Sequence, residues 1–181
     1  MFNSGCKDQL EADLAAAKSG DALGFEAIVS RFETQVYHLA RWVLGDPGEA
    51  EDISQEVFLK FLQHMPGLSV KKNLRGWFCK VTLNLAKNRL RANKRLIELS
   101  EHHVPQLIET SDSQFEARNW LQSHLPSLTF KERTALVLVH LFGFSTKEAA
   151  AVMGCRRGTV KTLCFRARTK LTQSHRKELH H

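Results

Sequence analysis

The sequence predicts an all-α protein with two small helical domains joined by a flexible acidic linker. Apolar residues recur every three or four positions through most of the chain, which is the spacing of amphipathic helices. No stretch of useful length alternates apolar and polar residues, so no strand is predicted. A run rich in acids, Ser and Thr interrupts the helical spacing near the middle. The expected divisions are residues 1–97, a linker at 98–114, residues 115–173 and a tail at 174–181, which is expected to fray.

Charge is segregated along the 181-residue chain. The formal net charge is +7 and the pI is near 9.4, which favours a polyanionic partner. Trp42–Leu59 and Leu96–Ala117 each hold five acids and no Lys or Arg, whereas Ala149–Lys177 holds eight Lys or Arg and no acid. Blocks of alternating sign indicate separate surfaces for separate partners.

The four cysteines show no CxxC pair and no spacing to His that is typical of metal ligands. We therefore expect reduced thiols, no metal site and no cofactor. The first residues lack the basic-then-apolar order of a signal peptide, and no apolar run approaches the roughly 18–20 residues of a membrane span. These observations predict a soluble cytoplasmic protein without membrane insertion.

A short helix is predicted at Lys7–Lys18 and ends at Ser19-Gly20-Asp21. Two amphipathic helices then follow before residue 65, separated by the turn Gly45-Asp46-Pro47. Asp46 suits an N-cap and Pro47 suits the first helical position. Acidic and amide side chains crowd the first turns of the second helix: Glu49, Glu51, Asp52, Gln55 and Glu56. The helix dipole alone favours acids there, so a structural explanation stands beside a binding surface.

A strongly basic helix follows, since Val70–Ile97 holds nine Lys or Arg and no acid. At about 100° per residue, seven polar side chains fall within roughly one third of its surface: Lys80, Asn84, Lys87, Asn88, Arg91, Lys94 and Arg95. Phe78, Val81, Leu85 and Ala92 fall on an adjacent face. From these residues alone, the basic face is either a solvated surface or a contact for an anion.

The second half of the sequence is predicted to form a helix near Phe115–Leu125, followed by a helix-turn-helix. Thr129–Glu132 and Ser145–Glu148 have capping-box form, and Gly154 permits a sharp turn before a basic helix at 157–171. Ala149, Ala150 and Val152 of the first helix are expected to face inward, with Val160, Leu163, Cys164 and Ala167 of the second. Its DNA-contact candidates are Thr159, Lys161, Thr162, Arg166 and Arg168. A purely structural helix pair is the alternative.

Three stretches resemble extracytoplasmic-function (ECF) sigma factors. GTVKTLCFRARTKL at 158–171 resembles the family's GTVKSRLxRARxxL signature in region 4, and LGDPGEAEDISQEVFLKF at 44–61 resembles its acidic region 2 stretch. LRGWFCKVTLNLAKNRLR at 74–91 resembles its W-L-x-x-I-A-x-N-x-A stretch. The matches occur in the family's order over about residues 10–172. The resemblance implies a region 2 helical bundle and a region 4 helix-turn-helix.

The resemblance also implies a function for each surface. The acidic helix is expected to dock on the β′ clamp helices of core RNA polymerase, and region 4 is expected to contact the β flap. The basic helix and the loop before it are expected to read the single-stranded minus-ten element through Asn73, Trp77, Lys80, Asn84, Lys87, Asn88 and Arg91. Asn84 lines a pocket for a flipped base in this assignment. Trp77 is either a stacking surface for an unpaired base or a half-buried packing residue.

Region 4 is expected to read the minus-thirty-five duplex through its second helix. Arg156 and Arg157 occupy the turn where the family often has Ser, which removes a cap and adds possible phosphate or base contacts. The resemblance implies an alternative sigma factor for a stress or envelope-signal regulon that an anti-sigma factor controls. It also implies a polymerase-threading role for the acidic linker, although a solvated linker has the same composition.

Two other classes of protein fit parts of the sequence. A free-standing helix-turn-helix regulator would need only the second half, and the acidic helix followed by a Trp-bearing basic helix argues against it. A nuclease would use Glu51, Asp52 and Glu56 with a metal, but the sequence places no basic or His partner beside them. The expectation is therefore a protein with no catalysis of its own.

Overall fold

A computed structural model of the chain describes residues 4–69, 73–97 and 113–178, and its regular structure within these ranges is entirely helical. The helices are α1 (Ser4–Lys18), α2 (Ala22–Leu44), α3 (Pro47–His64), α4 (Leu74–Ile97), α5 (Ser113–His124), α6 (Phe130–Leu136), α7 (Thr146–Met153) and α8 (Arg157–Glu178). The predicted all-α fold is confirmed. Most of the predicted linker, residues 98–112, lies outside the described residues, and α5 begins within its last two positions.

Local hydrogen bonds start the helices where the sequence predicts. The Asp46 carboxylate accepts from the Glu49 N–H at 2.8 Å, directly before Pro47. Both predicted capping boxes form, at Thr129 with Glu132 and at Ser145 with Glu148. These bonds satisfy backbone donors that the first turn of a helix cannot pair.

Helices α1 to α4 form the first bundle around an aromatic core. Phe78 of α4 is fully buried, with its ring centroid 4.6 Å from that of Phe32 and 5.2 Å from that of Phe61. Phe32 comes from α2 and Phe61 from α3, so one side chain of α4 contacts both preceding helices. This core fixes the position of the basic helix relative to the acidic helix.

Helices α6, α7 and α8 pack together as the second bundle. After Leu136, α6 continues as a π-helical turn, Val137–Leu141, which leads to α7. The buried Glu132 carboxylate lies 2.8 Å from the Lys170 ammonium of α8. That hydrogen bond, with further bonds from Thr129, lowers the pKa of Glu132 although burial opposes the shift.

The two bundles share one apolar cluster. Leu39 and Val43 of α2 and Cys79, Leu83 and Ala86 of α4 join the buried residues of α6, α7 and α8 in it. Helix α7 packs directly against α4. A cleft of about 560 Å³ remains open at the edge of this contact, between α2 and the segment around Phe142. The interface between the bundles was not predicted from the sequence.

The expectation of a frayed tail from residue 174 is wrong for residues 174–178, because α8 continues to Glu178. The Glu178 carboxylate accepts from the Trp120 indole N–H at 2.5 Å and lies 2.8 Å from His124 Nε2. His175 packs edge-on against Trp120, with ring centroids 5.1 Å apart. Contacts with α5 therefore extend α8 beyond its last apolar turn. Residues 179–181 lie outside the described ranges.

The buried Glu132 generates a stability prediction. We expect Lys170→Met to lower the free energy of unfolding by about 1–3 kcal/mol at neutral pH, because a buried carboxylate loses a charged donor. The lowered pKa of Glu132 stabilises the fold above its usual 4.5, and this contribution disappears as pH falls through the folded value. The difference between wild type and variant should therefore shrink as pH falls below 4.5.

Urea unfolding followed by circular dichroism measures this difference. Lys177→Met is the matched control, because Lys177 is an exposed lysine of the same helix. A loss of stability that is the same for both variants, or that does not change with pH, would contradict the assigned role of the Glu132–Lys170 pair.

Candidate nucleic-acid and protein interfaces

Helix α4 has one buried face and one exposed polar face. The exposed face carries the predicted strand-contacting residues Lys80, Asn84, Lys87, Asn88 and Arg91. The buried face is centred on Thr82 and Ala86, both fully buried. Ala92, predicted to lie on the apolar face, is instead exposed, because it falls to the side of that centre. The side chains of Lys94 and Arg95 lie outside the described set.

Asn73 sits at the start of this helix in an unusual backbone conformation. Its φ is 58°, in the left-handed region that Asn tolerates better than most residues. Its side-chain oxygen accepts from the Gly76 N–H at 3.1 Å and so caps the first turn of α4. The side chain is exposed, so a contact with the minus-ten strand stays a prediction. Val70–Lys72, in the loop before it, lie outside the described residues.

Trp77 is only partly buried and belongs to the aromatic cluster of the first bundle. Its ring centroid lies 5.2 Å from that of Phe78, 6.1 Å from that of Phe61 and 6.4 Å from that of His64. Trp77 therefore packs within the first bundle, as the half-buried alternative predicts. The exposed remainder of the ring leaves stacking on a base as a prediction.

Helix α3 exposes an acidic surface beside two large apolar side chains. Glu51, Asp52 and Gln55 are exposed, and Glu56 is partly exposed. Leu59 and Leu62, one and two turns further along, are 60% and 52% exposed. The helix dipole favours acids in the first turn, but it gives no reason for exposed leucines in the later turns.

The acids of α3 do have a basic partner, contrary to the sequence expectation. Arg89 of α4 places Nη1 3.6 Å from a carboxylate oxygen of Glu49 and 3.6 Å from one of Asp52. Asn93 donates to Glu49 at 3.2 Å. Glu49 is therefore engaged within the protein, and its other oxygen is buried without a described partner. The sequence did not reveal this contact because α4 crosses α3 about 40 residues away along the chain.

The helix-turn-helix has the predicted geometry. Gly154 has a φ of 62° and ends α7 in the left-handed conformation, which allows the sharp turn into α8. Val160, Cys164, Ala167 and Leu171 are buried on the inner face of α8, and Leu163 is partly buried. The outer face exposes every predicted DNA-contact residue: Thr159, Lys161, Thr162, Arg166 and Arg168.

Two details at this outer face go beyond the sequence prediction. Arg157, at the start of α8, donates through Nε to the Thr146 hydroxyl of α7 at 3.0 Å, so it ties the two helices together. Arg156 is exposed. Phe165 is 71% exposed on the same face as Thr162 and Arg166. Its position one turn after Thr162 was the sequence signal that could have placed it there.

Within residues 4–69, 73–97 and 113–178, no group of three His, Cys, Asp or Glu side chains is arranged to hold a metal ion. No helix in those ranges combines the length and hydropathy that a bilayer span requires. Cys79, Cys155 and Cys164 are free thiols, and burial raises the pKa of Cys79 to about 11.

Comparisons with known proteins agree with this division of the chain. The family model for sigma-70 region 2 matches residues 28–96, and that for sigma-70 region 4 matches residues 118–171. The ECF RNA polymerase sigma factor EcfG of Rhodopseudomonas palustris is 31% identical over 133 residues, covering 71% of this chain and 72% of that protein. SigC of Mycobacterium tuberculosis is 29% identical over 161 residues, covering 87% and 86%.

Solved structures show the same fold at lower identity. CnrH, in complex with the cytosolic domain of CnrY, has a TM-score of 0.71 at 24% identity, covering 93% of this chain and 98% of that one. The sigma factor RpoE of Bartonella quintana, in complex with the anti-sigma factor NepR, has a TM-score of 0.71 at 23% identity, covering 82% and 94%.

A free-standing helix-turn-helix regulator would need only the second half of the chain. The region 2 model matches residues 28–96 in the first half, so the chain is not a regulator of that class. The family assignment also replaces the nuclease hypothesis, since sigma factors are non-catalytic subunits of RNA polymerase. With both regions present in the family's order, the chain belongs to the extracytoplasmic-function RNA polymerase sigma factors and initiates transcription.

Proposed function

We propose that three exposed surfaces divide the work of initiation. The acidic and apolar face of α3 docks on core polymerase, the basic face of α4 holds the single-stranded minus-ten element, and the outer face of α8 reads the minus-thirty-five duplex. The observation that carries the proposal is that each surface lies on a different helix and has a different chemistry. In this proposal, residues 1–97 form the unit that carries the α3 and α4 surfaces. Residues 115–173 form the unit that carries the α8 surface.

The α3 surface suits a protein partner better than a nucleic acid. Asp52 and Gln55 lie beside exposed Leu59 and Leu62, so the surface combines acceptors with apolar area. A helical partner with basic and apolar side chains, such as the β′ clamp helices, satisfies both. Glu49 contributes least in this proposal, because Arg89 and Asn93 already occupy it.

The α4 surface suits a single strand of nucleic acid. Lys80, Lys87 and Arg91 can neutralise phosphates, while Asn84 and Asn88 between them can donate to and accept from a base edge. An unstacked base exposes its Watson–Crick edge, which a duplex hides. Trp77, at the side of this face, adds an aromatic surface on which a base can stack.

The α8 surface suits a duplex. Its exposed Lys161 and Arg166 can reach guanine or phosphate in the major groove, and Thr159 and Thr162 add hydroxyl groups. Arg156 precedes the helix and is exposed, so it can contact phosphate. Arg157 already donates through Nε to the Thr146 hydroxyl.

The remaining partners rest on the family. Region 4 is proposed to contact the β flap of polymerase, and an anti-sigma factor is proposed to hold the protein inactive until an envelope or stress signal arrives. Support for the second comes from CnrH and RpoE, whose solved structures contain the cytosolic domain of CnrY and the anti-sigma factor NepR. Action in the cytoplasm, where core polymerase and DNA meet, belongs to the same proposal.

The docking assignment predicts the effect of removing two side chains from α3. Asp52→Ala with Gln55→Ala should weaken binding to core polymerase by about tenfold, or about 1.4 kcal/mol, because two exposed contacts are lost. The helical content should not change. Fluorescence anisotropy with purified core measures the affinity. Gln9→Ala with Glu11→Ala removes the same types of side chain from exposed positions of α1 and should have no effect. Unchanged core affinity in the α3 variant would refute the assignment.

The division between α4 and α8 predicts two distinct defects. Lys161→Ala with Arg166→Ala should reduce run-off transcription from a duplex promoter, because minus-thirty-five binding is weakened. A template that is already melted at the minus-ten element should not restore transcription, since the minus-thirty-five contact is still missing. Asn84→Ala should instead weaken binding to a single-stranded minus-ten oligonucleotide by about 0.5–1.5 kcal/mol, because a hydrogen bond to a base edge is lost. The α8 variant should bind the oligonucleotide normally. Identical defects on both substrates would show that the two helices do not divide the work in this way.

Phosphate binding by α4 predicts a change in salt dependence. Lys87→Ala should reduce the slope of log affinity against log salt by about 0.7 for a single-stranded oligonucleotide, because one phosphate contact disappears. Asn88→Ala, an uncharged neighbour on the same exposed face, should leave the slope unchanged. Titrations at a series of salt concentrations measure both slopes. An equal slope for Lys87→Ala and wild type would remove Lys87 from the phosphate contacts.

A further inference from the structure

Helix α1 closes one side of the first bundle. Its Leu14 and Ala17 side chains are buried in the core cluster that also contains Phe61 of α3 and the following Met65. The match to sigma-70 region 2 begins at residue 28, after α1 has ended, so the comparison gives this helix no role. Its place in the core nevertheless fixes it relative to the helix that precedes the basic helix α4.

A close backbone contact holds α1 against α2. A Cβ atom at Gly24 would lie 2.6 Å from the main-chain nitrogen of Ala17 and 2.8 Å from the Asp13 carbonyl oxygen, so it would overlap both atoms. Glycine is therefore required at this point of α2. Gly20, with a φ of 91°, forms the turn between the two helices. The end of α1 thus has a defined position in the bundle.

Lys18, the last residue of α1, contacts a distant part of the chain. Its ammonium group donates to the Leu68 carbonyl at 2.5 Å, 50 residues later. A lysine in the last turn often binds the terminal carbonyl groups of its own helix. In α1 the carbonyl groups of residues 15–17 already accept from the N–H groups of residues 19–21. The Lys18 ammonium therefore acts on another segment.

That segment joins α3 to α4, and Leu68 lies near its beginning. The Leu68 N–H donates to the Met65 carbonyl at 3.1 Å, and its side chain packs against the core of the first bundle. The segment ends at Asn73, whose φ of 58° and hydrogen bond with Gly76 start α4. Lys18 thus adds a third contact at one end of a segment whose other end is a candidate contact for the minus-ten strand.

Stability alone gives this contact little importance. Lys18 is exposed, so its hydrogen bond competes with water and contributes little net free energy. Recognition is more sensitive to position, because side chains that bind a ligand must be held within about 0.5 Å of the productive geometry. A bond from a packed helix to Leu68 restricts the backbone that leads into the basic face of α4.

We propose that Lys18 is a positioning residue for recognition of the minus-ten strand: by holding Leu68, it orients the segment between α3 and α4 toward the unpaired bases. The proposal rests on the assignment of the α4 surface to that strand. Helix α1 then belongs to the DNA-reading unit without touching DNA. The phosphate contacts remain with Lys80, Lys87 and Arg91, so Lys18 affects which bases are preferred and not how strongly any strand is held.

Two substitutions at one position test the proposal. Lys18→Met removes the donor and keeps an unbranched side chain, whereas Lys18→Arg keeps a donor. Holoenzyme, formed from each full-length variant and purified core, is titrated with two single strands. One carries the non-template minus-ten sequence of a promoter whose start site has been mapped, and the other carries the same bases in scrambled order. Fluorescence anisotropy measures both affinities.

Wild type should prefer the promoter strand. Lys18→Met should reduce that preference by about three- to tenfold, the range that corresponds to one lost hydrogen bond, and should bind the scrambled strand normally. Lys18→Arg should keep the wild-type preference. A Lys18→Arg variant that loses the preference as fully as Lys18→Met would contradict the proposal.

Salt dependence separates positioning from a direct phosphate contact. Positioning leaves the slope of log affinity against log salt unchanged in Lys18→Met. A phosphate contact at Lys18 would instead lower the slope by about 0.7 and weaken both strands equally, and that result would overturn the proposal. Lys131→Met is the matched control, because it removes a lysine from an exposed position of α6 and should match wild type on both strands.

The outcomes also separate this proposal from the one on which it rests. Wild type without a preference for the promoter strand would refute the α4 assignment and the role of Lys18 with it. A folded Lys18→Met variant with the wild-type preference would refute only the role of Lys18. Thermal unfolding checks the fold, and both variants should melt close to wild type because Lys18 is exposed.

Discussion

Every surface of this sigma factor depends on the packing of helix α4. Its Phe78 side chain is enclosed by aromatic rings of α2 and α3, and Cys79, Leu83 and Ala86 face region 4. Its remaining face carries the basic residues and asparagines. A single helix therefore fixes the acidic helix α3 on one side and the helix-turn-helix on another. Its apolar faces are occupied within the chain, and its polar face is exposed.

The acidic and basic blocks of the sequence fold into helices that lie next to each other. The acids of α3 and the bases of α4 lie on adjacent helices, and Arg89 pairs with Glu49 and Asp52 where they meet. Asp52 is the exposed member of this group, and exposed ion pairs contribute little to stability, with a median of about 0–1 kcal/mol. Asp52 and Arg89 therefore each have a partner within the chain.

The features that sequence reasoning predicted are local ones. Asp46, Thr129 and Ser145 act on backbone groups within three residues, so their patterns are readable without a fold. Arg75 and Arg133 donate to the Phe142 and Val43 carbonyls, 67 and 90 residues away, and no local pattern distinguishes a buried arginine from a solvated one. The helical continuation of α8 to Glu178 was not predicted for the same reason, because it depends on a hydrogen bond with Trp120, 58 residues earlier. The exposed candidates on α3, α4 and α8 were predicted because amphipathic spacing reports exposure directly.

The burial of Cys79 has a chemical consequence. Its thiol lies in the cluster that both regions share, and burial raises its pKa to about 11 although Gln35 and Arg75 act in the opposite direction. At neutral pH the sulfur is therefore almost entirely protonated, and the protonated form is a poor nucleophile. An electrophile reaches the sulfur only when the packing around Cys79 opens, so the rate of alkylation at this atom reports local opening of the shared cluster.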